Sequence, residues 1–352
     1  MSVCSSEFSH AVKSLPALAG CHRADLGVAR TRLERLSRLG AELGITLYAK
    51  RDDCLTLGMG GNKIRQLEFY LGPALEENAD TVLITGAVQS NFVRSCAAAA
   101  RKLGLAPIVQ LEERVKRQDP LYKNPGNVLL NRLFGATVHF LSEGEDEAAA
   151  DASLDRMAAR LRDQGRIPYT IHLGVDHPPL GALGYALAAV ETFSQFKALG
   201  TMPDHVIIPS GSGISHSGFL CGARAIGWDV PVHGICVRRN ADEQRRRLEK
   251  RVAEVDRLLE KQGSTRAQDI IVDDAMLAPG YGQMNAAVSK AITMAAHGEG
   301  FLLDPVYSGR AFAGMIDLRD RNVIRRGESV VFIHTGGLPA LFAYQSDLAA
   351  LF

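Results

Sequence analysis

The chain has 352 residues, 46% of them hydrophobic, which suits one large or two medium globular domains with real cores. Lys plus Arg total 40 against 39 for Asp plus Glu, and a net charge of +1 gives no electrostatic footprint for nucleic acid or an acidic membrane. No apolar run reaches the roughly 20 residues that a membrane span requires. The N-terminus lacks the basic start and long apolar run of a secretory signal. Six scattered cysteines form no CxxC pair, so neither a metal site nor a disulfide framework is expected, and reduced thiols point to the cytoplasm.

Gly60-Gly61-Asn62-Lys63 comes first among the informative segments. Ile64, Leu67, Leu71 and Leu75 follow at helical spacing, so a helix starts here. Two glycines let the backbone pass close to another group. Lys63 at the positive end of a helix dipole favours its neutral amine, the form that condenses with an aldehyde cofactor. A tight turn with a solvated first-turn lysine gives the same pattern. TVLIT (81–85) reads as a buried strand, and a helix follows from Val93 to Leu103. Between them, Gln89-Ser90-Asn91 offers polar donors where parallel sheets bind ligands, or an ordinary helix N-cap. PIVQL (107–111) is the next strand, and the polar stretch 112–127, punctuated by Pro and Gly, reads as a surface loop.

Further strands are expected at 138–141, 168–171, 205–209, 232–237, 300–304 and 329–335. Ser210-Gly211-Ser212-Gly213-Ile214-Ser215 joins a strand to a small-residue helix, an arrangement whose backbone N–H groups cradle an anion. It lacks the lysine of a nucleotide P-loop, so a single phosphate monoester suits it better than a triphosphate. Residues 240–262 read as a solvated amphipathic helix with Leu248, Val252, Val255 and Leu259 inward. Glycine-flanked Tyr281, the stretch from Asp304 to Gly309 and the His334-to-Gly337 turn complete the set. Repeated strand–helix order predicts α/β architecture with mostly parallel, open twisted sheets. Nine or so strands exceed one ordinary sheet and imply two domains.

Several of these stretches, in order, resemble the fold-type II, tryptophan synthase β-like enzymes that use pyridoxal 5′-phosphate (PLP). Within them the similarity is to the D-cysteine desulfhydrase / 1-aminocyclopropane-1-carboxylate (ACC) deaminase family. The matching segments are YAKRDDCLTLGMGGNKIRQLEF (48–69), TGAVQSNFVR (85–94), GALGY (181–185), PSGSG (209–213), PGYG (279–282), LLDPVYSGRAFAGMID (302–317) and FIHTGGLPALFAY (332–344). The resemblance implies a Schiff-base lysine and Cα-proton base at Lys63, and a partner for the cofactor's ring oxygen at Asn91. It implies a phosphate cradle at Gly211, Ser212, Gly213, Ile214 and Ser215, and a hydroxyl facing the pyridine nitrogen at Thr335. Ser90, Tyr281 and Tyr307 would surround the substrate. It also implies a larger domain from residues 1–56 and 178–352, a smaller one from 57–177, and a homodimer. The implied activity is α,β-elimination on a small amino acid, D-cysteine giving pyruvate, ammonia and sulfide. ACC deaminase, L-cysteate sulfo-lyase and a non-catalytic PLP-binding regulator are the alternatives.

Ser308 stands where ACC deaminases carry Glu, which favours the desulfhydrase branch. Three departures from the family pattern are Phe92 for His, the large Ile214 in the cradle, and Gly174-Val175-Asp176-His177 for a Gly-Gly-Ser stretch. If Asp176 borders the substrate, its carboxylate repels a second anionic group and makes cysteate a poor substrate; otherwise it faces solvent or caps the helix starting near Leu180.

Overall fold

A computed structural model describes residues 8, 12–115, 119–142, 144 and 146–351. The N-terminal residues on which the leader reading rests, and Cys4, lie outside these. Ten strands form two sheets. Strands β3 (Thr81–Ala87), β4 (Ala106–Glu112), β5 (Thr137–Leu141) and β6 (Pro168–Ile171) make a four-stranded parallel sheet in the order β5-β4-β3-β6. The other sheet contains β1 (Leu33–Arg35), β2 (Thr46–Arg51), β7 (His205–Ser210), β8 (Val232–Cys236), β9 (Ile271–Asp273) and β10 (Ser329–His334). Its order is β1-β2-β10-β7-β8-β9, parallel except for the β1–β2 pair. The α/β architecture with two mainly parallel sheets is therefore as expected.

Central strands are apolar on both faces because helices cover both. β3 is buried along its whole length, and Val206, Ile207 and Ile208 of β7 are fully buried. The helices that shape the site are α1 (Lys63–Glu76), α2 (Asn91–Lys102), α3 (Glu147–Asp163), α4 (Ala182–Leu199), α5 (Ile214–Ala225), α6 (Ala241–Leu258), α7 (Ala286–Glu299) and α8 (Ser308–Asp320). α4 packs on α5 through glycines. A Cβ on Gly218 would fall 2.2 Å from the Ala182 carbonyl, and one on Gly222 2.5 Å from Ala186 Cα.

Residues 300–304 are not a strand. Gly300 ends α7 in the left-handed conformation and Pro305 follows, which leaves an apolar run too short to join a ladder. Its side chains still enter the core, with Phe301 edge-on to His334 at 4.7 Å. The polar stretch 112–127 is only partly a surface loop: Glu112 closes β4, and Tyr122 and Asn127 are buried. Nor is α6 simply solvated on its charged side, because Arg251 is 1% exposed.

Candidate active site

Strands from both sheets end at one open cleft of about 1040 Å³, solvent included. Thr85, Gly86 and Ala87 of β3, Glu112 of β4, Pro209 of β7 and Thr335 just after β10 all line it. It lies at the carboxyl ends of the strands, where parallel α/β sheets bind ligands.

Lys63 is the first residue of α1 and lines this cleft. Its approach depends on glycine: Gly60 has φ +69°, and a Cβ there would lie 1.9 Å from the Leu55 carbonyl. Arg94, fully buried on α2, donates to the carbonyls of Gly58 and Gly60 and clamps the loop. On the other side the Asn62 amide donates to the Thr335 carbonyl at 3.1 Å. Burial lowers the Lys63 ammonium to about 8. Nζ lies 5.3 Å from the Phe92 ring centroid and reaches Gln66 Oε1 at 3.4 Å. No carboxylate pairs with it among the described residues, so nothing opposes that desolvation. Phe92 thus replaces a polar neighbour with an apolar floor beneath the amine.

Ser90 is the N-cap of α2, its Oγ accepting from the Val93 amide at 3.2 Å, and it also lines the cleft. Capping the helix does not take Ser90 out of the cleft. Asn91 follows it. Asn127 Nδ2 donates to Asn91 Oδ1 at 2.9 Å, which leaves the Asn91 NH2 group for an acceptor in the cleft.

The 210–215 loop enters α5 through Gly213, at φ +86°, with no side-chain cap on the helix. Gly211 and Ser212 carbonyls accept from Arg239 and Arg247, so both are occupied by guanidiniums of the loop's own surround. Ser215 Oγ accepts from Asn62 Nδ2 at 2.8 Å and Gln66 Nε2 at 2.7 Å, which leaves its proton to donate. Gly211, Ser212, Gly213 and Ser215 line the cleft. Ile214 does not: its side chain is 1% exposed, packed in the core, so only its backbone is available to a ligand.

The phenol oxygens of Tyr281 and Tyr307, which also line the cleft, share a 2.8 Å hydrogen bond. Asp304 sets Tyr307 in place by accepting from the amides of Val306, Tyr307 and Ser308. Ser308 Oγ also donates to Asp304, and Ser308 is fully buried, so a Glu here would press a second carboxylate against the first. Burial, with Tyr281 second, holds the Tyr307 phenol well above its ordinary pKa.

Sequence reasoning missed six charged residues of the lining: Glu112, Arg114, Glu147, Asp151, Arg238 and Arg247. Arg114 forms a bidentate pair with buried Glu112, at 2.8 and 2.9 Å. Glu147 accepts from Arg238, Arg239 and Arg247. Burial would raise the Glu147 carboxyl, yet Arg247, Arg239 and Arg238 together hold it down to about 2. Arg114 and Glu147 look like any surface charge in sequence, because their partners are set by the fold. Asp176, by contrast, is exposed and outside the lining. It is not the cap of α4 either, since that helix starts at Ala182 behind Gly181. The expected repulsion of a second anion by Asp176 has no basis in this geometry.

An amine without a carboxylate partner, an uncapped helix start and convergent hydroxyl and amide donors suit an aldehyde that bears a phosphate. The sequence profile of pyridoxal-phosphate dependent enzymes matches residues 24–336. The chain belongs to this family. Its cofactor is accordingly PLP. D-cysteine desulfhydrases of Salmonella typhi and Salmonella newport are 40% identical over 322 residues, 92% of this chain and 96% of theirs. The crystal structure of an ACC deaminase homologue superposes with a TM-score of 0.85 at 32% identity, covering 97% of this chain and 99% of that one. Diaminopropionate ammonia lyase of Escherichia coli shares the fold at a TM-score of 0.64 and 15% identity, over 96% of this chain and 90% of its own. This PLP enzyme is thus similar to desulfhydrase and deaminase lyases, as the sequence motifs imply.

Proposed function

We propose that the protein is a carbon–sulfur lyase that converts D-cysteine to pyruvate, ammonia and sulfide. The observation that carries this reading is that Lys63 and the hydrogen-bonded Tyr281–Tyr307 pair line one cleft. Bound PLP supplies the electron sink that makes the substrate's Cα–H acidic. The Lys63 amine, about half neutral at pH 8, takes that proton. Ser90 and the open first turn of α2 hold the substrate carboxylate. Tyr307, its phenol pKa raised by burial, keeps its proton, and the pair donates one toward the departing sulfur. Phe92 keeps water away from the amine. The 211–215 loop receives the phosphate, Asn91 the ring oxygen, and Thr335 the pyridine nitrogen. The Thr335 hydroxyl, in place of a carboxylate, would leave the cofactor a weaker electron sink, which suits elimination.

Arg114 is already balanced by Glu112 and offers little to a second anion. Residues 57–177 form the smaller domain in this reading, supported by β3–β6 all falling within it and the other six strands outside. The enzyme works in the cytoplasm as a homodimer. Cys21, Cys54, Cys96, Cys221 and Cys236 are all free, and Leu133 and Phe342, 70% and 61% exposed, offer apolar surface to a second copy. No helix among the described residues is long and apolar enough to cross a membrane.

Assays that measure pyruvate and 2-oxobutyrate separately test the activity, with D-cysteine, L-cysteate and ACC as substrates. Pyruvate and sulfide from D-cysteine are expected. Turnover of ACC to 2-oxobutyrate in preference to D-cysteine would overturn the proposal.

A further inference from the structure

At the rim of the cleft, α3 meets the segment that leaves β6. Asp151, on α3, lies with Oδ1 3.3 Å from His172 Nδ1 and Oδ2 3.7 Å from His177 Nε2. One ligand atom from each of the three residues falls within 4.8 Å of the other two. The two imidazoles stack with centroids 4.1 Å apart and planes 12° apart. His172 turns its other nitrogen, Nε2, to Asp155 Oδ1 at 3.3 Å.

The Asp151–histidine spacings approach those around a metal ion, and one of the stacked rings would have to turn for both imidazole nitrogens to face the same ion. Ligand atoms bound at roughly 2.0–2.1 Å around a tetrahedral ion stand about 3.4 Å from one another. Two imidazole nitrogens and a carboxylate oxygen suit zinc and its neighbours, and not calcium or magnesium. Asp155 occupies the position of the outer carboxylate that orients a metal-bound histidine. His172 Nδ1 is buried and makes no well-directed hydrogen bond, despite its closeness to Asp151. Glycine at 174 keeps the space clear: a Cβ there would lie 2.7 Å from Asp151 Oδ2 and 3.5 Å from His177 Cδ2.

The histidine segment is also held in shape from behind. Arg251 donates to the carbonyls of Leu173, Gly174 and His177 at 2.8–2.9 Å, and Arg247 donates to that of Leu173. A pre-set ligand loop loses little entropy on binding. Asp151 and Gly174 line the active-site cleft, so the cluster borders it.

We propose that Asp151, His172 and His177 form a site for one divalent transition-metal ion of the zinc class, oriented by Asp155. Three protein ligands leave a fourth position for water or a thiolate. The ion ties α3 to the segment after β6, two walls of the same cleft. This site is independent of which substrate the enzyme takes.

The test uses the PLP-loaded enzyme, stripped with chelator and dialysed, without thiol or substrate. Zn²⁺ is titrated by calorimetry, and Co²⁺ absorption reports on geometry. Wild type should bind one equivalent with a tetrahedral Co²⁺ spectrum. His177→Ala, a half-exposed position that the fold tolerates, and Asp151→Asn should abolish stoichiometric binding. Asp155→Asn should weaken it by about 10–100-fold, and Cys54→Ser should leave it unchanged. Absence of stoichiometric binding in wild type would overturn the proposal. So would a site that survives His177→Ala and is lost in Cys54→Ser, since the exposed thiol would then be the ligand.

Discussion

Asn62 Nδ2 donates to Ser215 Oγ at 2.8 Å, between two side chains that are 6% exposed and 153 residues apart. One precedes the lysine at the start of α1, and the other sits in the first turn of α5. The bond ties the amine-bearing loop to the glycine–serine loop proposed to receive the phosphate, so each holds the other's position. Asn62→Ala should weaken PLP binding by roughly 1 kcal/mol, about fivefold to tenfold. A double-mutant cycle with Ser215→Ala, read by equilibrium PLP release, should give a coupling of about 1 kcal/mol. Strictly additive effects would show that the bond carries nothing.

Tyr281 and Tyr307 should act as one unit. Tyr281→Phe and Tyr307→Phe should each keep PLP and lose turnover by about 10²–10⁴-fold. The double variant should be little worse than either, because the pair is broken by the first change. Absorbance of bound cofactor and kcat, measured on the same samples, separate the two effects. Loss of PLP with normal kinetics in the remaining loaded enzyme would contradict the assignment.

Much of this site was legible because its loops announce themselves locally. GGNK needs positive φ at Gly60 and Gly61, and a helix starts at the lysine, both of which composition and spacing show. The Gly/Ser loop between β7 and α5 is equally local. Strands β3, β4 and β7 stood out because burial on both faces makes them continuous apolar runs. Edge strands did not. β9 is three half-buried residues, and β1 reads Leu-Glu-Arg, so neither carries a pattern. The arginines around Glu147 were hidden for another reason: charges whose partners lie 91 to 100 residues away look solvated in sequence. The Asp151, His172 and His177 cluster was hidden likewise, since a search confined to cysteine pairs never reaches it.

Desolvation of Lys63 predicts a pH dependence. The neutral amine is the reactive form, and its fraction rises with pH through about 8, where an ordinary lysine would need pH above 10. PLP uptake by the apoprotein should therefore rise with a midpoint near pH 8 and level off above it. Lys63→Ala should abolish both the visible absorption of the loaded protein and its turnover. Phe92→Ser, which admits water to the amine, should move the midpoint upward. A midpoint unchanged in this variant would show that the aromatic floor is not what lowers the pKa.

Stability should depend on a buried ion cluster behind the site. Glu191 accepts from Lys50 and from Arg65, whose guanidinium also holds Asp52 at 3.0 and 3.1 Å. Lys50 and Asp52 are fully buried. Burial alone would raise the Glu191 carboxyl, but Arg65 and Lys50 bring it down to about 2, against an ordinary value of 4.5. A carboxylate depressed on folding stabilises the native state above its unfolded pKa and loses that contribution as pH falls toward the folded value. Glu191 should thus contribute fully at pH 7 and progressively less from about pH 5 downward. Glu191→Gln removes the charge but leaves Lys50 and Arg65 buried, and should cost about 3–5 kcal/mol at pH 7. Urea unfolding of both proteins at pH 7 and pH 4 checks this. The gap between them should narrow at the lower pH, and a gap that widened would reverse the sign of the argument.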